Sequence, residues 1–528
     1  MNKSSLKKLV VLILALLMLL SAFVACKTDT PEVSGSDSTD NGGDVTESKG
    51  NGENNETEKS KYDVEDGLGD MDLNGLTVRI AYVNGSDYDN EVAVERLTGD
   101  VVSDEVYKRN IAVQKRLNVK LNGVPLGNGN AYGVADDLSE AVLAGQAAGY
   151  EVTLAPSYVT CGYVTRGLYH DLNTVENLDL SRVYWSQLLN ETYDIGGIQY
   201  SASGAISLSF YKFVFVTLVN DTMLKTKANA PDLISAVKNG KWTIEYQTQI
   251  IKDYYVDKGV TGRDDEDILG FIGSTGIDYD AYLSSGDVTV LSKGDDGFYS
   301  YAFDLARATD VMDDVVALFN SSASYAYSDN NTMEDQALKK FSQGTALTMT
   351  SRLIELETAN MKNMKDEYTV LPVPRLTEDQ EAYYSLISDR FSSVAVPISV
   401  SDDILGNVGA TIEALAAESY RKVSPAYIET VLRTRYTSGP EKWEIMNMIM
   451  ENVKMDACLP YTNALGLTGE PRNTLIKLWR YTAWKGYEDG TNPPVSTVFH
   501  SGIETKVEEN LNGENGLQTY IKQQLAKQ

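Results

Sequence analysis

Apolar residues occur first in one almost unbroken block, Leu9 to Val24, and after it only in short runs set between polar ones. Leu76 to Val83 is β-rich and predicts a strand, with the polar stretch Asn84 to Asn90 as the loop behind it. Ser103, followed by Asp104 and Glu105, predicts an N-cap, and the helix after it carries Val106, Val113 and Leu117 on one side. Val119 to Val124 predicts a second strand, Leu138 to Ala148 a second helix, and Glu151 to Ala155 a third strand bounded by Pro156. Alternation of this kind is the order of a mostly parallel sheet flanked by helices, on which ligands sit at the carboxyl ends of strands.

The same alternation restarts further on and predicts a second lobe. Phe213 to Val219 reads as a buried strand, Pro231 to Lys238 as a short helix stopped at Gly240, and Thr243 as the cap of a helix with Glu245 in its first turn. Glu334 to Phe341 predicts a helix ended near Gly344. Strands follow at Thr345 to Thr350, Tyr368 to Pro372 and Ser393 to Ile398, and then a helix from Asp402 to Glu418. The tail from Tyr420 onward is expected to be mainly helical, with Trp443, Met446, Ile449 and Met450 as a packing stripe.

The first apolar block follows Lys3, Lys7 and Lys8 and ends at Ala25 and Cys26, the layout of a secretory signal with its cleavage site. It is shorter than a comfortable membrane span of about 20 residues. Val24, Ala25 and Cys26 are similar to the end of a bacterial lipoprotein signal, although Phe23 stands where an aliphatic residue is usual. Cys26 is therefore expected to carry lipid chains that hold the protein at the membrane. Lys27 to Lys61 is nearly devoid of apolar side chains and is expected to be a disordered acidic tether.

Charge and rare residues narrow the function of the roughly 460 remaining residues, a length that favours two domains. A formal net charge of -29 argues against nucleic acid and anionic lipid as partners. Only 3 cysteines occur, so the chain is not a disulfide scaffold, and Cys161 and Cys458 are read as buried thiols that could also pair. With 2 histidines, most zinc sites and hydrolytic triads drop out. No phosphate-binding loop or cofactor motif is present, and the acid run Asp264 to Asp267 lacks calcium-loop spacing and reads as a solvated turn. Tyrosine is abundant at 32 residues, a ring with a polar tip that suits half-polar ligands such as sugars.

Several segments resemble the family 1 extracellular solute-binding proteins, receptors of ABC importers for sugars and oligosaccharides. EVTLAPSYVTCGYVTRGLYHDL, Glu151 to Leu172, is similar to that family's strand, cleft loop, helix and closing turn, and IGGIQYSASGAISLSFYKFVFVTLVND, Ile195 to Asp221, to its passage through the first hinge. NGKWTIE from Asn239, KFSQGTALTMTSR from Lys340 and YTVLPVP from Tyr368 follow in the family's order and spacing over most of the mature chain. The resemblance implies an α/β fold of two lobes, each a mostly parallel sheet flanked by helices, hinged by crossing strands near Ser203 to Phe210 and Ser393 to Pro397. It divides the chain into a signal peptide (1–25), tether (26–61), N-lobe (62–205, with about 393–440 returning), C-lobe (206–392) and a helical tail (441–528) packed mainly on the C-lobe. A monomer delivering a carbohydrate to permease subunits without any cofactor is the implied setting, and the long polar tether favours a Gram-positive cell surface.

Cleft residues are expected at strand ends and hinges. Ser157 and Tyr158 follow the third strand, Asn84 and Tyr88 the first, and Ser207 and Tyr211 flank the first hinge. Arg352 falls just past a buried strand, where some family members carry a stacking ring, and its fork suits sugar hydroxyls or a carboxylate. Arg390 and Trp185 complete the ligand-binding candidates. A secreted glycan-acting enzyme, which needs a carboxylate pair in a cleft, and a sensory binding protein for another solute are the alternative functions.

Overall fold

The structure is a computed structural model and describes residues 60–85, 88–259, 264, 266–274, 278–327, 333–436, 439–465 and 502–528. The signal segment, Cys26, nearly all of the acidic tether, Trp479, Trp484 and His500 lie outside the described residues. Among the described residues no helix is long and apolar enough to cross a membrane. The strands are β1 (Thr77–Val83), β2 (Lys120–Leu126), β3 (Val152–Pro156), β4 (Phe215–Asn220), β5 (Leu269–Ser274), β6 (Leu291–Lys293), β7 (Tyr299–Tyr301), β8 (Ser324–Tyr327), β9 (Ala346–Arg352), β10 (Tyr368–Leu371), β11 (Ser385–Leu386), β12 (Ser392–Ala395) and β13 (Val453–Lys454).

The chain is an α/β protein of two lobes, each built on one sheet. In the first the order is β12-β3-β1-β2, parallel except where β12 joins antiparallel to β3. β1 is buried on both faces: Val78 and Ile80 pack with Val113 and Leu117 of the helix Val101–Leu117, and Ala81 and Val83 with Val134 and Leu138 of the helix Tyr132–Leu143. Full burial of each such aliphatic side chain contributes about 1.5–3 kcal/mol, which fixes the register against a one-residue slip. The first of these helices is capped by Asp100, whose carboxylate accepts from Ser103 N at 2.9 Å, and not by Ser103 as expected. The second begins and ends earlier than its apolar pattern suggested, at Tyr132 and Leu143, with Gly145 turning at φ +64°.

The second sheet, β10-β4-β9-β5-β8, is mixed. β4 enters from the inter-lobe connection and runs away from the first lobe, so it pairs antiparallel with both β10 and β9, while β9, β5 and β8 run parallel to one another toward the first lobe. Helices Ile244–Ile251, Leu305–Asn320 and Met333–Ser342 cover it, and Thr243 caps the first of them with its hydroxyl 3.1 Å from Tyr246 N. At Gly270 a Cβ would stand 2.1 Å from the Ile251 carbonyl, so only glycine lets that helix approach β5. Asp267, expected on a solvated turn, is buried and accepts from the backbone of Lys258 and Asp264 and from the Tyr255 hydroxyl.

The chain passes between lobes three times in the described residues. Ala202 bridges Val394 in the first lobe, and β4 begins the second a few residues later. The return runs through Ile387 to Phe391 and has joined β3 by Ser392, so Ser393 to Pro397 belong to the first lobe and not to the crossing expected there. The third passage follows the helix Asp402–Glu418 and the π-helical stretch Ala426–Tyr436, which pack on the helix Val101–Leu117, and ends at the helix Pro440–Glu451, which packs on β10. A hairpin, β6–β7, reaches from the second lobe to the first: Lys293 Nζ donates to Asp194 O at 2.6 Å, Tyr299 Oη to Thr192 O at 2.9 Å, and Gly196 N to Gly297 O at 3.0 Å. Gln518, in the helix Leu517–Leu525, brackets the same hairpin through Tyr299 N and O.

Cys161 and Cys458 are buried and not joined in a disulfide, and burial pushes the Cys161 thiol up to about 12. A thiol reagent at about pH 8 should therefore label Cys161 at least about a hundredfold more slowly in the native protein than in urea. Equal rates would show that the thiol is exposed.

Candidate functional site

The carboxyl ends of β1, β2 and β3 in one lobe and of β9 and β5 in the other face the crossing segments. Between them lies a cavity of about 240 Å³. Tyr132 and Tyr158 line it from the first lobe, Phe215 and Asp280 from the second, Leu386, Ser388, Asp389 and Arg390 from the return crossing, and Leu459 from the tail. Tyr158 is set by the short helix Ser157–Thr160 at the end of β3, whose first N–H groups donate to the crossing: Ser157 N to Phe391 O at 2.9 Å and Tyr158 N to Asp389 O at 3.2 Å. Asn463 donates to the Tyr158 carbonyl at 3.2 Å, so the tail helps to hold the loop. The rings of Tyr132 and Tyr158 meet edge-on, 5.4 Å between centroids, a favoured aromatic geometry.

A space of about 10 Å³ adjoins this cavity behind Phe215, lined by Ser274, Asp278, Glu334, Arg352 and Glu355. The Arg352 guanidinium is 2.6 Å from Glu355 and 3.6 Å from Glu334 and stands over the Phe213 ring at 5.7 Å. Asp278 opens the helix Asp278–Ser285 and accepts from Ser274 N at 2.8 Å. Burial, with the charge of Glu334 adding to it, pushes its carboxyl up to about 8, against the opposing hydrogen bond from Ser274 and the charge of Arg352.

Of the residues expected at the cleft, Tyr158 and Arg390 line the cavity, and Tyr88 touches its frame by donating to the Arg390 carbonyl at 2.7 Å. Arg352 reaches only the adjoining space. Three others are enclosed and do not face the cavity. Ser157 turns inward to the Tyr193 hydroxyl at 2.5 Å, Ser207 lies against Ser209 at 3.1 Å and Glu91 at 3.4 Å, and Trp185 is in the first lobe's core with its indole N–H on Glu413 at 3.0 Å. Tyr211 packs on Tyr427 and bonds Ser424 at 3.1 Å, and Asn84 is exposed outside the lining. Asp280 and Asp389 carried no local signal. Asp389 precedes Arg390 between two expected strands, in a stretch with no element pattern of its own, and Asp280 follows a strand that its two glycines disguise.

A larger cavity of about 670 Å³ lies at the other end of β4, between Asp221, Pro231, Tyr368 and Lys442. It belongs to the second lobe and its packed helices, so movement between lobes does not act on it.

No family model matches the chain, and no curated protein matches it. Among solved structures it is similar to the maltose/maltodextrin-binding domain MalE from Bdellovibrio bacteriovorus bound to maltotriose, with a TM-score of 0.47 and 11% identity, over 85% of this chain and 100% of that one.

Proposed function

We propose that the protein is an extracellular solute-binding lipoprotein that captures a carbohydrate between its lobes and hands it to the permease of an ABC importer. The observation that supports this reading is the cavity lined from both lobes and from the crossing segment, with tyrosine and phenylalanine rings beside two carboxylates and a guanidinium. Rings cover the C–H faces of a pyranose, and carboxylate and guanidinium forks hold its hydroxyls in pairs. A ligand touching both lobes favours the arrangement in which they approach, which is how such a receptor signals occupancy. Cys26 would keep it at the outer face of the membrane, on a tether long enough to reach the permease.

Saccharides at millimolar concentration should raise the melting temperature by a few degrees, since stabilisation by ligand grows as RT ln(1 + [L]/Kd). Tyr158→Ala should weaken the bound saccharide about tenfold, ~1.4 kcal/mol, with the unliganded melting temperature unchanged. A melting temperature that responds to peptides or organic acids and to no saccharide would overturn the reading. Asp280 and Asp389 share one ring-lined cavity, as the carboxylates of a glycan-cleaving enzyme must, so product is to be sought in the same samples. Its appearance would replace transport by hydrolysis.

A further inference from the structure

A second space adjoins the inter-lobe cavity on its second-lobe side. It measures about 60 Å³, and Asp280, Leu386 and Leu459 line both. Beyond those three its wall is mainly aliphatic, with Leu283 from the helix Asp278–Ser285 and Val288 and Val290 from the stretch that leads into β6. Asp456 and Lys454 also border it, and both are engaged elsewhere. The Asp456 carboxylate accepts from the backbone N–H groups of Val290 at 2.6 Å, Leu291 at 3.2 Å and Cys458 at 2.9 Å. Lys454 pairs with Asp287 and stands over the Tyr384 ring at 4.8 Å. The same contacts fix the walls, since Asp456 ties the tail to the chain before β6 and Leu386 in β11 is paired with Lys454 in β13. The space is thus held by hydrogen bonds between its own walls. Its apolar interior contrasts with the rings, carboxylates and guanidinium of the cavity beside it. A hydroxyl placed there would exchange water for aliphatic walls, at a cost, whereas each buried methylene gains about fourfold in affinity. A water-sized group takes about 10–15 Å³ of such space, so about four non-hydrogen atoms fit.

We propose that the solute bound between the lobes carries a short aliphatic group, of about four carbon atoms, that enters this space past Leu386 and Leu459. On the carbohydrate reading, on which this last step rests, the solute is a small alkyl glycoside. Methyl, butyl and hexyl β-glycosides of glucose, galactose and mannose vary the chain at constant sugar, and leucyl-glycine offers an isobutyl group without a sugar. By calorimetry on the purified chain, the butyl glycoside should bind at least about tenfold tighter than its methyl counterpart, with a more negative heat-capacity change. Hexyl should add less than about twofold to butyl, because the space is then full. Val290→Phe, which fills the space, should bring the butyl-to-methyl ratio toward one, and Leu283→Ala, which enlarges it, should carry the gain on to hexyl. A ratio near one in the wild type overturns the aliphatic group and leaves a carbohydrate receptor. A gain that continues undiminished to hexyl, or that survives Val290→Phe, puts the chain on an open surface and overturns the proposal too. Binding of leucyl-glycine without any glycoside upholds the aliphatic group and overturns the carbohydrate. Absence of binding by all of these probes overturns both, provided the circular dichroism and urea midpoint of the protein show it folded.

Discussion

Glu91→Ala should cost about 3–5 kcal/mol of stability, read as a lower urea midpoint at unchanged m-value. Glu91 lies in the short helix Asp89–Val92, 2% exposed, and its carboxylate accepts from Ser209 N at 2.6 Å, from the Ser392 hydroxyl and from Ser207 Oγ at 3.4 Å. Ser207 and Ser209 stand on the first passage between lobes and Ser392 at the first-lobe end of the second, so one side chain ties the two together. Burial raises its pKa, with the hydrogen bonds from Ser392 and Ser209 and the charge of Lys212 working against that. Alanine would leave a buried N–H and two hydroxyls without their acceptor, each worth about 1–3 kcal/mol. Glu91→Gln keeps the volume and one carbonyl oxygen, and should lose about half as much. A loss for alanine below about 1 kcal/mol would mean that water or a neighbour replaces the carboxylate.

Asp278→Asn should change how stability depends on pH more than it changes stability in acid. The native carboxyl titrates near 8, far above its unfolded value. Between about pH 4 and 8 the folded chain thus holds a proton that the unfolded chain has lost. Bound protons favour the fold there, so stability is greatest below the unfolded pKa and falls as pH rises, by about 1.4 kcal/mol per unit. Asparagine keeps the shape and the acceptor for Ser274 N, has no proton to lose, and should match the wild type near pH 4. Near pH 8 it should be the more stable of the two, by on the order of 5 kcal/mol. Urea unfolding of both proteins across this range gives the two curves. Parallel curves would show that Asp278 is ionised in the fold.

The elements legible in the sequence are those whose burial has a period. β1, β3 and β4 stand out as apolar runs between turns, and Asp402 to Glu418 is observed with the expected bounds. The helix Asp278–Ser285 is not legible because it is buried on nearly all sides, with Tyr279 and Tyr282 against Phe319 and its aspartates and serines turned inward, so it shows no amphipathic stripe. Sheet logic likewise located the cleft loop but not the side-chain directions within it. Tyr158 faces the cavity while Ser157, one residue earlier, is claimed by Tyr193. The position of Arg352 just past a buried strand does not reveal that Glu355, three residues on, and Glu334, from another helix, engage its guanidinium.

The β6–β7 hairpin alters the mechanics of the pair of lobes. Bodies joined only by chain crossings can turn about any line near those crossings. Here Lys293, Tyr299 and Gly297 add an attachment away from them, on Thr192, Asp194 and Gly196. A rotation that keeps both sets of contacts is confined to one axis, the line through crossings and hairpin. Shortening the hairpin should therefore let the lobes twist as well as swing.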